Sequence, residues 1–156
     1  MKNNKGFSLV ELIIVIAIMA ILVGVMAPQL IKYIEKTNVS ADTQLADAVH
    51  SAVLTAIMDP EVVTSTDSAV ISMMSTLESS AGTNVSSLGT DVLSAAILDI
   101  LGCSTGAEVN SSLKSANASN VMVMVNDNRC YVWIPGSDAS GSKGTNAATS
   151  AMISVY

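Results

Sequence analysis

Glu11 is a carboxylate about one helical turn inside a long apolar run, and its position indicates ion-pairing chemistry. A charge near the centre of a bilayer costs about 2.5–3.5 kcal/mol, so such a residue usually has a partner. A cut between Gly6 and Phe7 would create an α-amine four residues before Glu11, or roughly 6 Å along a helix axis. That amine would lie over Glu11 of the same helix or pair with Glu11 of a staggered neighbouring helix. The structural alternative is a helix-end glutamate whose carboxylate reaches the membrane interface.

The other residues with reactive side chains do not form a recognisable site. His50 is the sole histidine and has no cysteine nearby, so neither a zinc site nor a histidine-based catalytic unit is expected. Asp127 and Asp138 fall in predicted loops but lack the flanking oxygen ligands that calcium needs. No Gly-rich phosphate loop, pair of catalytic carboxylates or Ser-His-Asp set can be assembled. We therefore expect no enzymatic activity, no cofactor and no metal.

The element that must position Glu11 is a hydrophobic helix. Residues 12–31 form a run of twenty residues with few interruptions, long enough as a helix to cross a hydrocarbon core of about 30 Å. Lys2 and Lys5 precede the run, and this positive bias puts the N-terminus in the cytoplasm. Everything after Ile31 is then exported.

Ordinary secretion is an alternative explanation of the same apolar run. Val25-Met26-Ala27 loosely satisfies the cleavage pattern of a secretory leader. Pro28 would directly follow that cut, a position that impedes signal peptidase, and Glu11 would lie inside the apolar core of the leader. Both details disfavour a secretory signal.

The heptapeptide Lys5-Gly6-Phe7-Ser8-Leu9-Val10-Glu11 ahead of an apolar helix resembles the class III signal of type IV pilins and the related pseudopilins. The resemblance implies that a prepilin peptidase cuts after Gly6 on the cytoplasmic face and N-methylates Phe7. It also implies that Glu11 neutralises the amine of an adjacent subunit during filament assembly. Pro28 falls where family members have a helix-bending proline. The motif resemblance covers about the first 55 residues and is architectural beyond them.

These observations divide the chain into four segments. Residues 1–6 are a cytoplasmic leader peptide that is cleaved, and residues 7–31 are the transmembrane and assembly half of a long helix. Residues 32–58 are its amphipathic half, which belongs with the exported globular domain at 59–156. A chain of 156 residues has room for an anchor and one small domain of roughly 100 residues.

We expect a single helix over residues 7–58, bent near Pro28 because proline removes a backbone hydrogen bond. Gly24 and Pro28 weaken it by about 1 and 3 kcal/mol relative to alanine. Spacings of three and four predict that its second half packs through one apolar face. That face comprises Ile31, Ile34, Ala41, Leu45, Ala48, Val49, Ala52, Val53, Ala56 and Ile57. The polar face comprises Lys36, Asn38, Asp42, Asp47 and Ser51.

Downstream of this helix, Asp59-Pro60-Glu61 predicts a helix stop and restart, with Asp59 as the new cap. A second amphipathic stripe covers 62–77 and a polar linker 79–89. A third helix is predicted over 91–101, with Thr90 as its cap and Gly102 as its terminator.

Two strands are predicted at 121–125 and 129–134, joined by a tight turn. A polar loop over 136–150 precedes a closing strand at 151–156. The predicted fold is α+β: a long N-terminal helix packed on a small antiparallel sheet, with extra helices between helix and sheet. The same order of elements occurs in pilins.

Cys103 and Cys130 are the only cysteines, and both lie in the exported part. A disulfide between them would close a loop of about 27 residues, which stabilises a domain by roughly 3–4 kcal/mol in the chain-entropy model. Free buried thiols are the alternative.

The composition excludes nucleic acid as a direct ligand. The chain has seven basic residues and a formal net charge of −6, and the basic residues do not cluster after Lys36. Binding to phosphates needs a basic patch. Aromatic residues are also too few for a platform that stacks bases.

These features predict a prepilin: a structural subunit of a type IV pilus-like helical filament. Its expected partners are other copies of itself, prepilin peptidase, a pilus assembly ATPase with its platform protein, and membrane lipid before assembly. The protein would be single-pass in a bacterial cell membrane and then part of an extracellular filament, to which adhesion, motility or DNA uptake would belong. The alternatives are a minor pilin or pseudopilin of a secretion or competence system, and a single-span surface protein that never polymerises.

Overall fold

The structure, a computed structural model, describes residues 7–115, 118–126 and 129–135, and the backbone of 151–155. It divides into two compact units, Met1–Thr37 and Asn38–Tyr156. The first helix, α1, spans Leu9–Ile57 and contributes to both units. The predicted change from membrane half to amphipathic half at Ile31 stays a prediction.

The first unit consists of the apolar part of α1. One 18-residue window of this helix has a mean hydropathy of 3.0, and none of that window is buried. The helix continues through Gly24 and Pro28 without interruption. The bend at Pro28 stays a prediction. A helix that is apolar all round needs an apolar surrounding, so its length and composition suit a membrane anchor.

The second unit includes the C-terminal part of α1, and the rest of the unit packs on that part of the helix. The buried residues of this part recur at helical spacing and form one stripe. The prediction is confirmed for Val49, Ala52, Val53 and Ala56. It is wrong for Asp42, which was placed on the polar face but is 1% exposed. Ala46, also buried, was not predicted. Three residues of the predicted apolar face are exposed: Ile31, Ile34 and Ala48.

Four short helices follow α1: α2 (Pro60–Val63), α3 (Ser68–Leu77), α4 (Val92–Leu101) and α5 (Gly106–Ser111). The stop and restart at Asp59 is confirmed, because the Asp59 side chain accepts a hydrogen bond from the Glu61 N–H. The predicted stripe over 62–77 is divided between α2 and α3. Asp67 causes the second start, since its carboxylate accepts from the Ala69 N–H.

The third predicted helix is confirmed as α4, with one correction at its start. Asp91, not Thr90, is the N-cap residue, and its carboxylate accepts from the Ser94 N–H and the Ser94 hydroxyl. Aspartate outranks threonine because its oxygen is an ionised acceptor near the positive end of the helix dipole. Gly102 ends the helix with φ 68°, as predicted.

The sheet is antiparallel with strand order β1-β2-β3-β4. Its strands are β1 (Thr83–Asn84), β2 (Met122–Asn126), β3 (Arg129–Pro135) and β4 (Ala151–Val155). Val123 pairs with Val132, and Ile134 pairs with Ile153. The three predicted strands are confirmed, whereas residues 127 and 128 of the predicted turn and the loop 136–150 lie outside the described residues.

Three elements were not predicted: β1, a short 3-10 helix and α5. The supposed linker 79–89 contains β1 and a short 3-10 helix, Val85–Ser87. Helix α5 packs against that 3-10 helix at Gly106, where an added Cβ would collide with the Val85 carbonyl oxygen. The core includes Val53, Leu77, Leu93, Ile97, Val109, Val121, Val132 and Ile134. These residues come from α1, α3, α4, α5 and β3 and from the position before β2. The α+β architecture is thus confirmed.

Candidate functional site

The carboxylate of Glu11 folds back over the start of α1. Its Oε2 accepts a hydrogen bond of 2.8 Å from the backbone N–H of Ser8. The first helical turn also closes through the Leu12 N–H, which donates to the Ser8 carbonyl oxygen at 3.3 Å. The first N–H groups of a helix lack intrahelical acceptors, and a glutamate at the third position satisfies one of them. Glu11 therefore has a definite orientation even in a single subunit.

That orientation decides what Glu11 can do chemically. The carboxylate is exposed and points to the peptide nitrogen next to Phe7. A helix N-terminus favours a negative charge at this place, so the carboxylate is an acceptor for N–H donors or a cation. It can pair with a charge and so fix a register. Gly6, the other side of the expected cut, lies outside the described residues.

Phe7 and the side chains that follow form a continuous apolar surface. Phe7 is 93% exposed, and Leu9, Ile21 and Ile31 are each more than two-thirds exposed. Lipid tails or the equivalent helices of other copies could cover such a surface. A large exposed apolar patch marks a membrane or protein interface.

The two cysteines are free thiols in the structure, and the possible disulfide between them stays a prediction. Cys103 follows α4 and is half-buried, with its sulfur 3.7 Å from the Leu101 carbonyl oxygen. Cys130 is buried on β3. Burial raises the pKa of the Cys130 thiol to about 12, because the low-dielectric interior disfavours the thiolate.

The structure describes only one of the three residues that were considered as metal ligands. His50 is half-buried on α1. Among the described residues, no group of three histidine, cysteine, aspartate or glutamate side chains could hold a metal ion. Asp127 and Asp138 lie outside the described residues.

Sequence reasoning missed a buried structural carboxylate, Asp42. It accepts hydrogen bonds from the backbone N–H groups of Lys114, at 2.8 Å, and of Ser115, at 2.9 Å. These bonds attach α1 to the segment between α5 and β2. The available signal was its spacing, because Asp42 lies four residues before Ala46 and seven before Val49 in the buried stripe.

A cluster of three asparagines was also missed. Asn84 Oδ1 accepts from Asn110 Nδ2 at 2.9 Å, and Asn84 Nδ2 donates to Asn120 Oδ1 at 2.9 Å. Asn110 Oδ1 accepts from the Val121 N–H at 2.9 Å. The cluster joins α5 to the strands, so these amides support the fold of the second unit. The three asparagines are far apart in sequence, so no local pattern predicts the cluster.

Comparison with known proteins identifies relatives of both the N-terminal segment and the whole chain. Residues 1–27 match the family model for the prokaryotic N-terminal methylation motif. The type IV wide pilus major component PilA4 of Thermus thermophilus is 32% identical over 149 residues, 95% of this chain and 92% of that protein. A fimbrial protein of Pseudomonas aeruginosa is 37% identical over 65 residues, 42% of each chain. No solved structure matches significantly.

The relationship therefore extends beyond the methylation motif. The match to the Thermus protein includes the globular unit as well as the apolar helix, and the α+β fold agrees with it. The expected resemblance is confirmed, and a non-polymerising surface protein is not favoured. This chain belongs to the type IV pilins, the structural subunits of type IV pili.

Proposed function

We propose that this chain is a prepilin that is cut after Gly6, methylated at Phe7 and assembled into a homopolymeric filament. The observation that carries the proposal is the exposed carboxylate of Glu11, held 2.8 Å from the Ser8 N–H at the start of an uncovered apolar helix. In the filament, the helices from Phe7 to Ile31 bury one another. Glu11 pairs with the amine of a processed subunit.

Burial explains why Glu11 would enforce register. A carboxylate transferred into an apolar core without a partner loses its hydration, and the penalty is several kcal/mol. Only a neighbour that places an amine near Glu11 removes that penalty. Incorrect staggers are rejected because they leave the charge unpaired, as in other interfaces that use a buried polar group to select one arrangement.

The proposed topology follows from the charges around the helix. Lys2 and Lys5 precede the apolar run, which favours a cytoplasmic N-terminus and an exported second unit. Prepilin peptidase would act at the cytoplasmic face. An assembly ATPase and a platform protein would then move the subunit from lipid into the filament. The chain would be a main subunit, because its Thermus thermophilus relative is the major component of a type IV wide pilus.

Glu11→Ala tests the assembly role. We expect the variant to be processed normally, with an N-terminal methyl-Phe7. It should yield at least about tenfold fewer filaments, because the amine of the neighbouring subunit is then buried without a partner. An unpaired buried charge costs more than about 1.4 kcal/mol. Mass spectrometry of the N-terminus reports processing, and electron microscopy of sheared fibres reports assembly. Asp47→Ala is the control, because Asp47 is an exposed carboxylate further along α1.

Two outcomes would contradict the proposal. An intact Met1 or a terminus at Pro28 would refute prepilin processing. Normal filaments from Glu11→Ala would refute the register role. If this chain is a trace component of the sheared fibres, it is a minor pilin and not the main subunit.

A further inference from the structure

Charge is segregated along this chain. Between Thr37 and Leu113 the sequence has nine carboxylates and no lysine or arginine. Two exposed lysines, Lys32 and Lys36, directly precede this stretch on α1. Residues four apart lie on one helix face, so one side of α1 presents two cations. The nine carboxylates are Asp42, Asp47, Asp59, Glu61, Asp67, Glu78, Asp91, Asp99 and Glu108.

Three of these carboxylates line one groove of the second unit. The groove has a volume of about 680 Å³ and lies between the start of α2 and the length of α4. Ala95, Ala96 and Leu98 form part of its lining. Asp59, Glu61 and Asp99 contribute its carboxylates. The groove thus combines a surface of small apolar side chains with a negative potential.

No cation from the described part of the chain pairs with the groove carboxylates. Asp59 Oδ1 accepts from the Glu61 N–H at 2.8 Å, whereas the exposed carboxylates of Glu61 and Asp99 have no hydrogen-bond partner within the described part of the chain. None of the three forms an ion pair with a described residue. A second positively charged surface would therefore gain attraction here without displacing an existing partner.

We propose that this groove binds the Lys32–Lys36 segment of a neighbouring copy. The two lysines would reach the carboxylates of Glu61 and Asp99. Tyr33, which is 70% exposed, would lie on the surface of Ala95 and Ala96. Small residues allow a helix to approach closely, and long lysine side chains bury their methylenes while the ammonium reaches a charge.

The occupant is a second copy because assembly itself delivers this segment. The proposal rests on the proposed function: when residues 7–31 are buried among neighbours, Lys32 and Lys36 emerge directly beside those neighbours. The other exposed cations among the described residues, Lys114 and Arg129, stand alone in sequence. Groove and lysines belong to different parts of the chain, so the contact is heterologous. Repeated heterologous contacts build rings where the rotation closes and helical filaments where it does not.

Charge reversal tests the contact in full-length chains expressed in a pilus-forming cell. We expect Lys32→Glu with Lys36→Glu, and separately Glu61→Lys with Asp99→Lys, each to lower the yield of sheared filaments at least about tenfold, since like charges face each other. Combining all four changes should restore the yield to within about threefold of the original. Asp47→Lys with Glu78→Lys is the matched control, with the same change of charge on exposed residues outside the groove.

Immunoblots that measure the amount of processed subunit in the membrane distinguish a defect in assembly from a defect in folding. The contact is refuted if the four changes together do not restore filaments, or if the control pair loses as many filaments as the groove pair. Because Glu11→Ala tests the filament proposal separately, filaments that need Glu11 but tolerate every reversal would refute the groove contact alone.

Cys103 lines the same groove and supplies a direct measurement. In filaments of Lys36→Cys, oxidation should link the introduced thiol of one copy to Cys103 of the next and give a ladder of oligomers on non-reducing gels. Lys114→Cys, the matched control, should give no ladder, and Cys103→Ser should abolish the ladder of Lys36→Cys. A missing ladder, or one that survives Cys103→Ser, would overturn the proposal.

Discussion

At the residue scale, Asp42 joins two segments that are distant in sequence. Its two oxygens accept from the N–H groups of Lys114 and Ser115, which lie 72 and 73 residues further along the chain. Hydrogen bonds to a charged acceptor are worth more than neutral ones. The buried carboxylate is thus a structural acceptor within an otherwise apolar stripe.

Asp42→Ala should therefore destabilise the second unit. We expect the free energy of unfolding to fall by about 2–4 kcal/mol, because two backbone donors lose their acceptor in a buried place. Urea unfolding of the detergent-solubilised chain, followed by circular dichroism, measures the change. The exposed Asp47, also on α1, is the control, and Asp47→Ala should change stability by less than about 0.5 kcal/mol. Equal stabilities of the two variants would refute the role of Asp42.

The thiol of Cys130 gives the second unit a pH dependence. Its pKa is raised from 9.0 to about 12, so between these values the folded chain holds a proton that the unfolded chain has lost. Stability from this group is fully present below about pH 9 and declines as pH rises toward 12. Denaturant unfolding at several alkaline pH values should show this slope. The slope should become shallower in Cys130→Ala but not in Cys103→Ala, and equal slopes would contradict it.

Glu11 and Asp42 show which sites a sequence reveals. Glu11 could be predicted because a charge inside a run of about twenty apolar residues has a high cost wherever the chain folds. Asp42 could not, because a polar residue in an amphipathic helix ordinarily faces water. Its partners are backbone groups at least 72 residues away, and no local pattern encodes them.

At the scale of elements, Gly106 fixes how α5 meets the 3-10 helix Val85–Ser87. A Cβ at this position would collide with the Val85 carbonyl oxygen, and backbone yields less readily than a side chain. Gly106→Ala should lower the free energy of unfolding by about 1–3 kcal/mol, measured by thermal or urea unfolding. Gly89→Ala is the control, since its Cβ would meet only the Asp91 carboxylate at 3.5 Å. A Gly106→Ala variant as stable as the control would show that α5 can move aside.

The elements divide into those with local signals and those without them. Helix starts at Asp59, Asp67 and Asp91 depend on side chains that cap the nearest turn, which is a local signal. Only the cap at Asp59 was predicted from it. Strand β1 has two residues and exists because it pairs with β2, with Thr83 opposite Val123. A strand that depends on so distant a partner leaves no periodicity of its own.

At the scale of the molecule, the two units differ in what surrounds them. The unit Asn38–Tyr156 contains its own core, whereas the apolar part of α1 is uncovered. A fragment that begins at Asn38 should therefore be soluble, folded and monomeric, while the full chain needs detergent. Size-exclusion chromatography and circular dichroism test this, and the same fragment with Asp42→Ala should unfold at lower urea. An unfolded or aggregated fragment would show that the unit needs residues before Asn38.

The uncovered surface of α1 has a consequence for the energetics of the filament. Lipid tails are as apolar as leucine, so a helix that moves from bilayer to filament gains little from the hydrophobic effect. Both states shield Phe7 to Ile31 from water, and the free-energy difference between them comes from packing and from polar contacts such as that of Glu11. In the proposed filament, the bilayer would therefore be a reservoir of subunits and not the source of the driving force.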